Sequence, residues 1–212
     1  MKSIVILISG QGSNMRALLE ADLPCLVVAV ISNRADAPGL EIAKQYGIAT
    51  RVVAHRDHPD RESFDTELAI CIDSFRPDLI VLAGFMRILT LQFVTRYQNK
   101  LINIHPSLLP AYGGLNTHAR ALQDGVKIHG CTVHFVTGDV DHGPIIIQAA
   151  VPVLMDDTPA TLAARVLNQE HRIFPQAIRW FCNDDINLSS DGKVKMRRLD
   201  QPECTLISPK ME

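Results

Sequence analysis

Ser3-Ile4-Val5-Ile6-Leu7-Ile8-Ser9, running into Gly10-Gln11-Gly12-Ser13-Asn14, is the stretch on which the fold turns (SIVILISGQGSN, residues 3–14). Its apolar part is β-branched and too uniform to alternate, which suits a strand buried on both faces. The glycines that follow mark a tight turn into a helix. Outward from this unit the same theme recurs in Leu26–Ser32 (LVVAVIS), Ala49–Ala54 (ATRVVA), Leu79–Ala83 (LIVLA) and Lys100–Ile104 (KLINI). Helical stretches lie between several of them: Ser13–Ala21, Ala37–Tyr46 and Pro59–Phe75, the last with Phe64, Leu68, Ile72 and Phe75 at a helical period. Strand alternating with helix predicts an α/β domain with a Rossmann-like open sheet, mainly parallel, with helices on both faces.

After Pro106 the pattern changes. Leu108–Asn116 is rich in Gly and Pro and reads as a surface loop, and Thr117–Asp124 as a short helix. Gly130–Val136 and Pro144–Val153, joined by TGDVDHG, predict an antiparallel hairpin in the C-terminal part. Thr158 followed by Pro159 predicts an N-cap and first helical position, for a helix to about Phe181 with Pro175 as a kink site. The expected organisation is one domain over 1–182, with a nucleotide-binding half to about 100 and a catalytic half from 101, then a polar tail, 183–212. In the tail, Asp191-Gly192 is a hairpin signal.

Composition narrows the class. The 212 residues are 47% apolar and 21% charged, as in ordinary globular domains. A net charge of -2 supplies no drive toward nucleic acid or an anionic membrane, so neither is an expected partner and a small molecule is. No apolar run reaches the ~20 residues of a membrane helix, and the N-terminal run is shorter than a signal-peptide core. Five cysteines, none in a Cys-x-x-Cys pair, fit reduced thiols and a cytoplasmic location. Monomer and homodimer both remain open.

Two places gather chemistry. The Ser9–Asn14 turn presents backbone N–H groups at a helix start, which fits either a tight turn or a phosphate cradle. Met15 in place of the third glycine, and a second strand that ends in Ser32-Asn33-Arg34 without an acidic ribose ligand, argue against a dinucleotide fingerprint, and the P-loop lysine is missing. At the end of the fifth strand, Asn103 and His105 share a face. They are satisfied core polar groups or a catalytic pair, and Asp141 in the TGDVDHG connection could fold back to orient the imidazole. His55 and His58 flank Asp57 at a spacing a metal could use, without a further ligand set, so no metal is expected. His134 reads as structural, and Glu170 mid-helix as either a solvated residue or a substrate contact.

Four motifs in order, ISGQGSN (Ile8–Asn14), LAGFMRIL (Leu82–Leu89), NIHPSLLP (Asn103–Pro110) and DVDHGPII (Asp139–Ile146), make the chain resemble the phosphoribosylglycinamide formyltransferases from Ile4 to about Phe181. The resemblance implies 10-formyltetrahydrofolate as co-substrate and formyl transfer to the primary amine of glycinamide ribonucleotide, in purine biosynthesis, through a tetrahedral intermediate. By that resemblance Asn103 and His105 donate to the oxyanion, and Asp141 pairs with His105 and helps move protons. Gly12, Ser13 and Asn14 hold the phosphate, Glu170 the ribose, and Met86 and Pro106 line the approach. On the folate side Arg87, Ile88 and Leu89 give main-chain contacts, Phe85, Val94, Leu101 and Val140 apolar lining, and Thr137, Gly138, Asp139 and Asp141 the polar edge. Met86 and Asn103 border the folate as well. Arg61 matches a basic residue near the glutamate tail and is equally a solvated helix-start residue.

Alanine at Ser13 or Asn14 is expected to act modestly, because the phosphate contacts are made by backbone. Asn116 stands where the family carries a histidine, after an extra glycine, Gly113, which predicts a mobile lid over Pro110–His118. The alternative reading is a formyltetrahydrofolate deformylase, which uses a similar Asn, His and Asp set with water as acceptor. A methionyl-tRNA formyltransferase is disfavoured by the short tail, and a catalytically silent nucleotide-binding module would need no such triad.

Overall fold

The computed structural model describes residues 1–189, 191–197 and 208. Seven strands, β1 (Lys2–Ile8), β2 (Cys25–Ser32), β3 (Thr50–Val52), β4 (Leu79–Leu82), β5 (Leu101–His105), β6 (Ile128–Phe135) and β7 (Ile145–Pro152), form one sheet in the order β3-β2-β1-β4-β5-β6-β7. The first five run parallel, and β6 and β7 are antiparallel additions. The Rossmann-like expectation holds, and one continuous sheet runs through residues 2–152.

The uniform run in β1 has a direct structural reason. Ile4, Ile6 and Ile8 point into one core with helices α1 (Ser13–Glu20), α2 (Gly39–Gln45) and α6 (Pro159–Cys182). Val5 and Leu7 point into a second core with α3 (Arg61–Asp73) and α4 (Leu91–Arg96). All five are fully buried. Each contributes about 1.5–3 kcal/mol of burial, so β1 is fixed at the sheet centre by packing on both sides.

α6 opens as expected, with Thr158 as N-cap in a capping box and Pro159 at its start, and it continues through Pro175. α4 was not anticipated. It is six residues long and starts at Thr90, whose hydroxyl accepts the Phe93 N–H. β6 and β7 approach so closely that a Cβ on Gly143 would lie 1.7 Å from the Phe135 carbonyl oxygen, and one on Gly130 2.0 Å from that of Ala149. The tail begins with a hairpin, β8 (Ile186–Leu188) and β9 (Val194–Met196), that buries Ile186 against the first core. Cys25, Cys71, Cys131 and Cys182 are unbridged, and Cys204 lies outside the described residues. No described helix is long and apolar enough to cross a membrane.

Candidate active site

Parallel strands in open sheets present their carboxyl ends to ligands, above all where the chain reverses its order across the sheet, here between β1 and β4. β5 lies beside this crevice and ends in Asn103, Ile104 and His105. Antiparallel pairing sets Asn103 opposite His134 and His105 opposite Thr132. Asn103 Nδ2 lies 3.2 Å from His134 Nε2, and His134 Nδ1 lies 2.8 Å from the Phe135 carbonyl. The carbonyl can only accept, so Nδ1 carries the proton and Nε2 accepts from the Asn103 amide. Burial lowers the His134 pKa against the opposing pull of that carbonyl and of Asp141, which keeps the ring neutral in this role. His134 therefore fixes the orientation of the Asn103 carboxamide and leaves its second N–H for a ligand. Reading His134 as structural missed this, because the pair depends on a strand register between residues far apart in sequence.

Asp141 completes the group. Its Oδ2 is 3.4 Å from His105 Nδ1 and its Oδ1 is 3.8 Å from His134 Nε2. The backbone at Asp141 is left-handed, φ 57°, a conformation that Asp tolerates better than most residues and that turns its carboxylate back over the sheet edge. The fold-back expected of the TGDVDHG connection is therefore present. His105 is buried, and its other nitrogen, Nε2, is 3.0 Å from the Tyr112 carbonyl. The ring thus lies between a carboxylate and a carbonyl, both acceptors.

The segment after β5 differs from a plain surface loop. Ser107 and Leu109 are buried. Ser107 Oγ donates to the Ala111 carbonyl, Thr117 Oγ1 to the Pro106 carbonyl, and Arg120 to the Gly113 carbonyl. The Gly114 N–H donates to Asp141 Oδ2 at 2.8 Å. The expected lid is thus hydrogen-bonded at both ends and latched to the site's own carboxylate. Asn116 is left-handed, φ 57°, at the start of α5 (Thr117–Gln123), which suits asparagine better than histidine. Behind the loop His129 is buried edge-on to Tyr112 and His118. Desolvation, helped by the charge of His118, lowers its pKa to about 4.

The second constellation is the start of α1. Gly12 is its N-cap, left-handed at φ 74°, with no side-chain cap. The first N–H groups of the helix therefore have no intrahelical acceptor and no side-chain cap, the arrangement that suits an anion. A Cβ on Gly12 would lie 3.0 Å from the Gly39 Cα, a close approach that motif reading did not anticipate. Asn14 is buried, and its Nδ2 donates to Glu170 Oε2 at 2.7 Å. The Asn14 side chain is therefore not spare, which revises the expectation of a modest effect there. Glu170 is 6% exposed rather than solvated, and burial raises its pKa against that hydrogen bond.

The remaining candidates divide between crevice and core. Met86, Ile88 and Val140 are exposed, Pro106, Leu89 and Thr137 half-buried, and Gly138 and Asp139 exposed. Phe85, Val94 and Leu101 lie in the second core, Leu101 with no exposed surface. Arg87 packs over the Phe64 ring, and Arg61 is an exposed first residue of α3. His55 contacts Asn33.

An amide held by a neutral imidazole, a second imidazole against a carboxylate, and an uncapped helix start on the same edge of the sheet fit an α/β enzyme of acyl-group chemistry. The family model described as Formyl transferase matches residues 2–178, and the chain belongs to that family. It is 50% identical to the phosphoribosylglycinamide formyltransferase of Escherichia coli (strain K12), over 92% of this chain and 90% of that protein. The crystal structure of glycinamide ribonucleotide transformylase 1 from Symbiobacterium toebii superposes with a TM-score of 0.89 at 46% identity, over 92% of this chain and 94% of that one. A formyltetrahydrofolate deformylase from Pseudomonas syringae pv. tomato superposes with a TM-score of 0.85 at 28% identity, over 92% of this chain and 65% of that one.

Proposed function

We propose that this chain transfers the formyl group of 10-formyltetrahydrofolate to the primary amine of glycinamide ribonucleotide. The observation that carries the reading is the cluster of Asn103, His134, Asp141 and His105 at the carboxyl end of β5, on the sheet edge that also carries the uncapped start of α1. The Asn103 amide, held by His134, donates to the oxygen that gains charge as the amine adds to the formyl carbon. The His105 imidazole, once Nε2 turns from the Tyr112 carbonyl, stabilises the same oxygen; Asp141 balances its charge and takes up the amine proton, directly or through water, and a proton passes to N10 of the folate as the formyl carbon–N10 bond breaks and tetrahydrofolate leaves. Preorganised donors of this kind are worth roughly 100- to 1000-fold in rate each.

The N–H groups of Gly12, Ser13 and Asn14 hold the ribonucleotide phosphate, and Glu170, oriented by Asn14, accepts from the ribose hydroxyls. Met86 and Pro106 line its approach. The pterin meets the backbone of Arg87, Ile88 and Leu89, flanked by Phe85, Val94 and Val140 and bordered by Thr137–Asp141. Leu101 supports this wall from beneath, and Arg61 lies on the side of the glutamate tail.

Hydrolysis, the second reading, would use the same three side chains with water as acceptor. The anion site at α1 favours the transferase, because a hydrolase of formyltetrahydrofolate has no phosphate to place there. The test is folate product formation from 10-formyltetrahydrofolate with purified protein, followed by ultraviolet absorbance. Release that requires glycinamide ribonucleotide is expected, and equal release without it would establish the hydrolase.

A further inference from the structure

A hydrogen-bond chain that this chemistry does not use crosses the carboxyl edge of the sheet. The Met86 N–H donates to Ser9 Oγ at 2.7 Å, and Ser9 Oγ donates to Asn33 Oδ1 at 2.6 Å. Asn33 meets His55 Nδ1 with its amide nitrogen at 3.1 Å and its backbone carbonyl at 2.9 Å. Ser9 follows β1, Asn33 follows β2, His55 lies beyond β3 and Met86 beyond β4, so four strand ends are joined. Ser9 and Asn33 are 6% and 4% exposed. A backbone N–H is a donor only, so the Ser9 proton is free for Asn33, whose amide then faces His55.

What this chain restrains is specific. The segment 83–90 is pinned at one end by the Ala83 N–H to the Leu7 carbonyl and at the other by the Thr90 N–H to Asp65. Between them, among the described residues, the Met86 N–H to Ser9 is the one backbone N–H of Gly84–Leu89 that donates to a protein acceptor. Ser9 also leads directly into the Gly10–Asn14 turn. One buried hydroxyl therefore sets the spacing between the two segments that flank the crevice where β1 and β4 part.

We infer that Ser9 is a positioning residue for both substrates, holding the 84–89 segment in register with the anion-binding turn; this rests on the transferase reading. Removing the hydroxyl leaves the Met86 N–H unpaired and the segment free to drift from both ligands. Ser9→Ala is expected to raise KM for glycinamide ribonucleotide and for 10-formyltetrahydrofolate together, about 5- to 30-fold each. A residue that acts on binding alone leaves kcat within about 3-fold. Amide hydrogen exchange at Met86, read in the free protein, is expected to quicken by at least about 10-fold as the bond is lost. Ser9→Thr, which keeps the hydroxyl, should restore both readouts.

A change in one KM only, a loss confined to kcat, or unaltered exchange at Met86 would overturn the inference. If Ser9→Ala does not fold, Asn33→Ala removes the acceptor of the Ser9 proton instead and should raise both KM values by a smaller factor. Wild-type turnover that ignores the amine would refute the transferase reading, and Met86 exchange would still decide whether Ser9 holds the segment.

Discussion

On the proposed reading, the two ends of the crevice recognise charge by different means. At the β5–β6 end the work falls to side chains: Asn103 held by His134, and His105 set between Asp141 and the Tyr112 carbonyl. At the α1 end it falls to backbone N–H groups released by a left-handed, uncapped Gly12. A side chain can be trimmed without altering the fold, whereas a backbone site is altered only through the conformation that creates it. The same kind of substitution should therefore have opposite weight at the two ends.

The sharpest test of this difference is at the side-chain end. His105→Ala and Asp141→Ala should each lower kcat by at least ~100-fold with the fold intact by circular dichroism, and near wild-type turnover in either would remove them from the chemistry. At the backbone end the equivalent blow is Gly12→Val, which asks a β-branched residue to adopt φ 74° with its Cβ 3.0 Å from Gly39. Ribonucleotide binding by calorimetry should be lost while folate binding persists. Asn14→Ala falls between the two ends, since it strips the buried Glu170 carboxylate of its partner, and a rise of about 10-fold in ribonucleotide KM is expected. Ser13→Ala should change the same constant by less than about 3-fold, because only its N–H is used. Equal effects at the two positions would mean that the Asn14–Glu170 contact does not matter.

The smallest expected effect concerns pH. His129 keeps its proton only below about pH 4 in the folded protein, against about 6.5 when unfolded. The unfolded chain binds the extra proton between those values, so this contribution to stability is complete above about pH 6.5 and declines as the pH falls toward 4. Urea unfolding of His129→Gln at pH 7.5 and pH 5 should show a shallower loss on acidification than wild type. A parallel loss would assign the pH dependence to other groups.

The fold was legible because each central strand is buried on both faces and so carries an unbroken apolar run, as β1 does. α4 was not, since LQFVTR follows an apolar stretch with no helical period and only the Thr90 cap marks its start. In the site, Asn103, His105 and Asp141 were legible because two share a strand face and the third lies in a connection long enough to return. His134 reads only as structural in sequence because its partner is set by register with β5, which no local pattern encodes. Glu170 was ambiguous because a helix position does not say which face is covered. Asn14 reads as backbone alone in sequence because its contact with Glu170 joins residues far apart in the chain.

The approach of β6 and β7 at Gly143 has a consequence for sequence space. Where a β-carbon would stand, 1.7 Å away, there is already the carbonyl oxygen of Phe135. In a library carrying all twenty amino acids at position 143 and selected for growth, glycine alone should survive. The Gly113 codon, where a β-carbon meets nothing closer than 3.7 Å, should tolerate alanine in the same selection. One glycine is thus a fixed letter of this chain and the other a replaceable one, although one is two residues from Asp141 in sequence and the other lies against it in space.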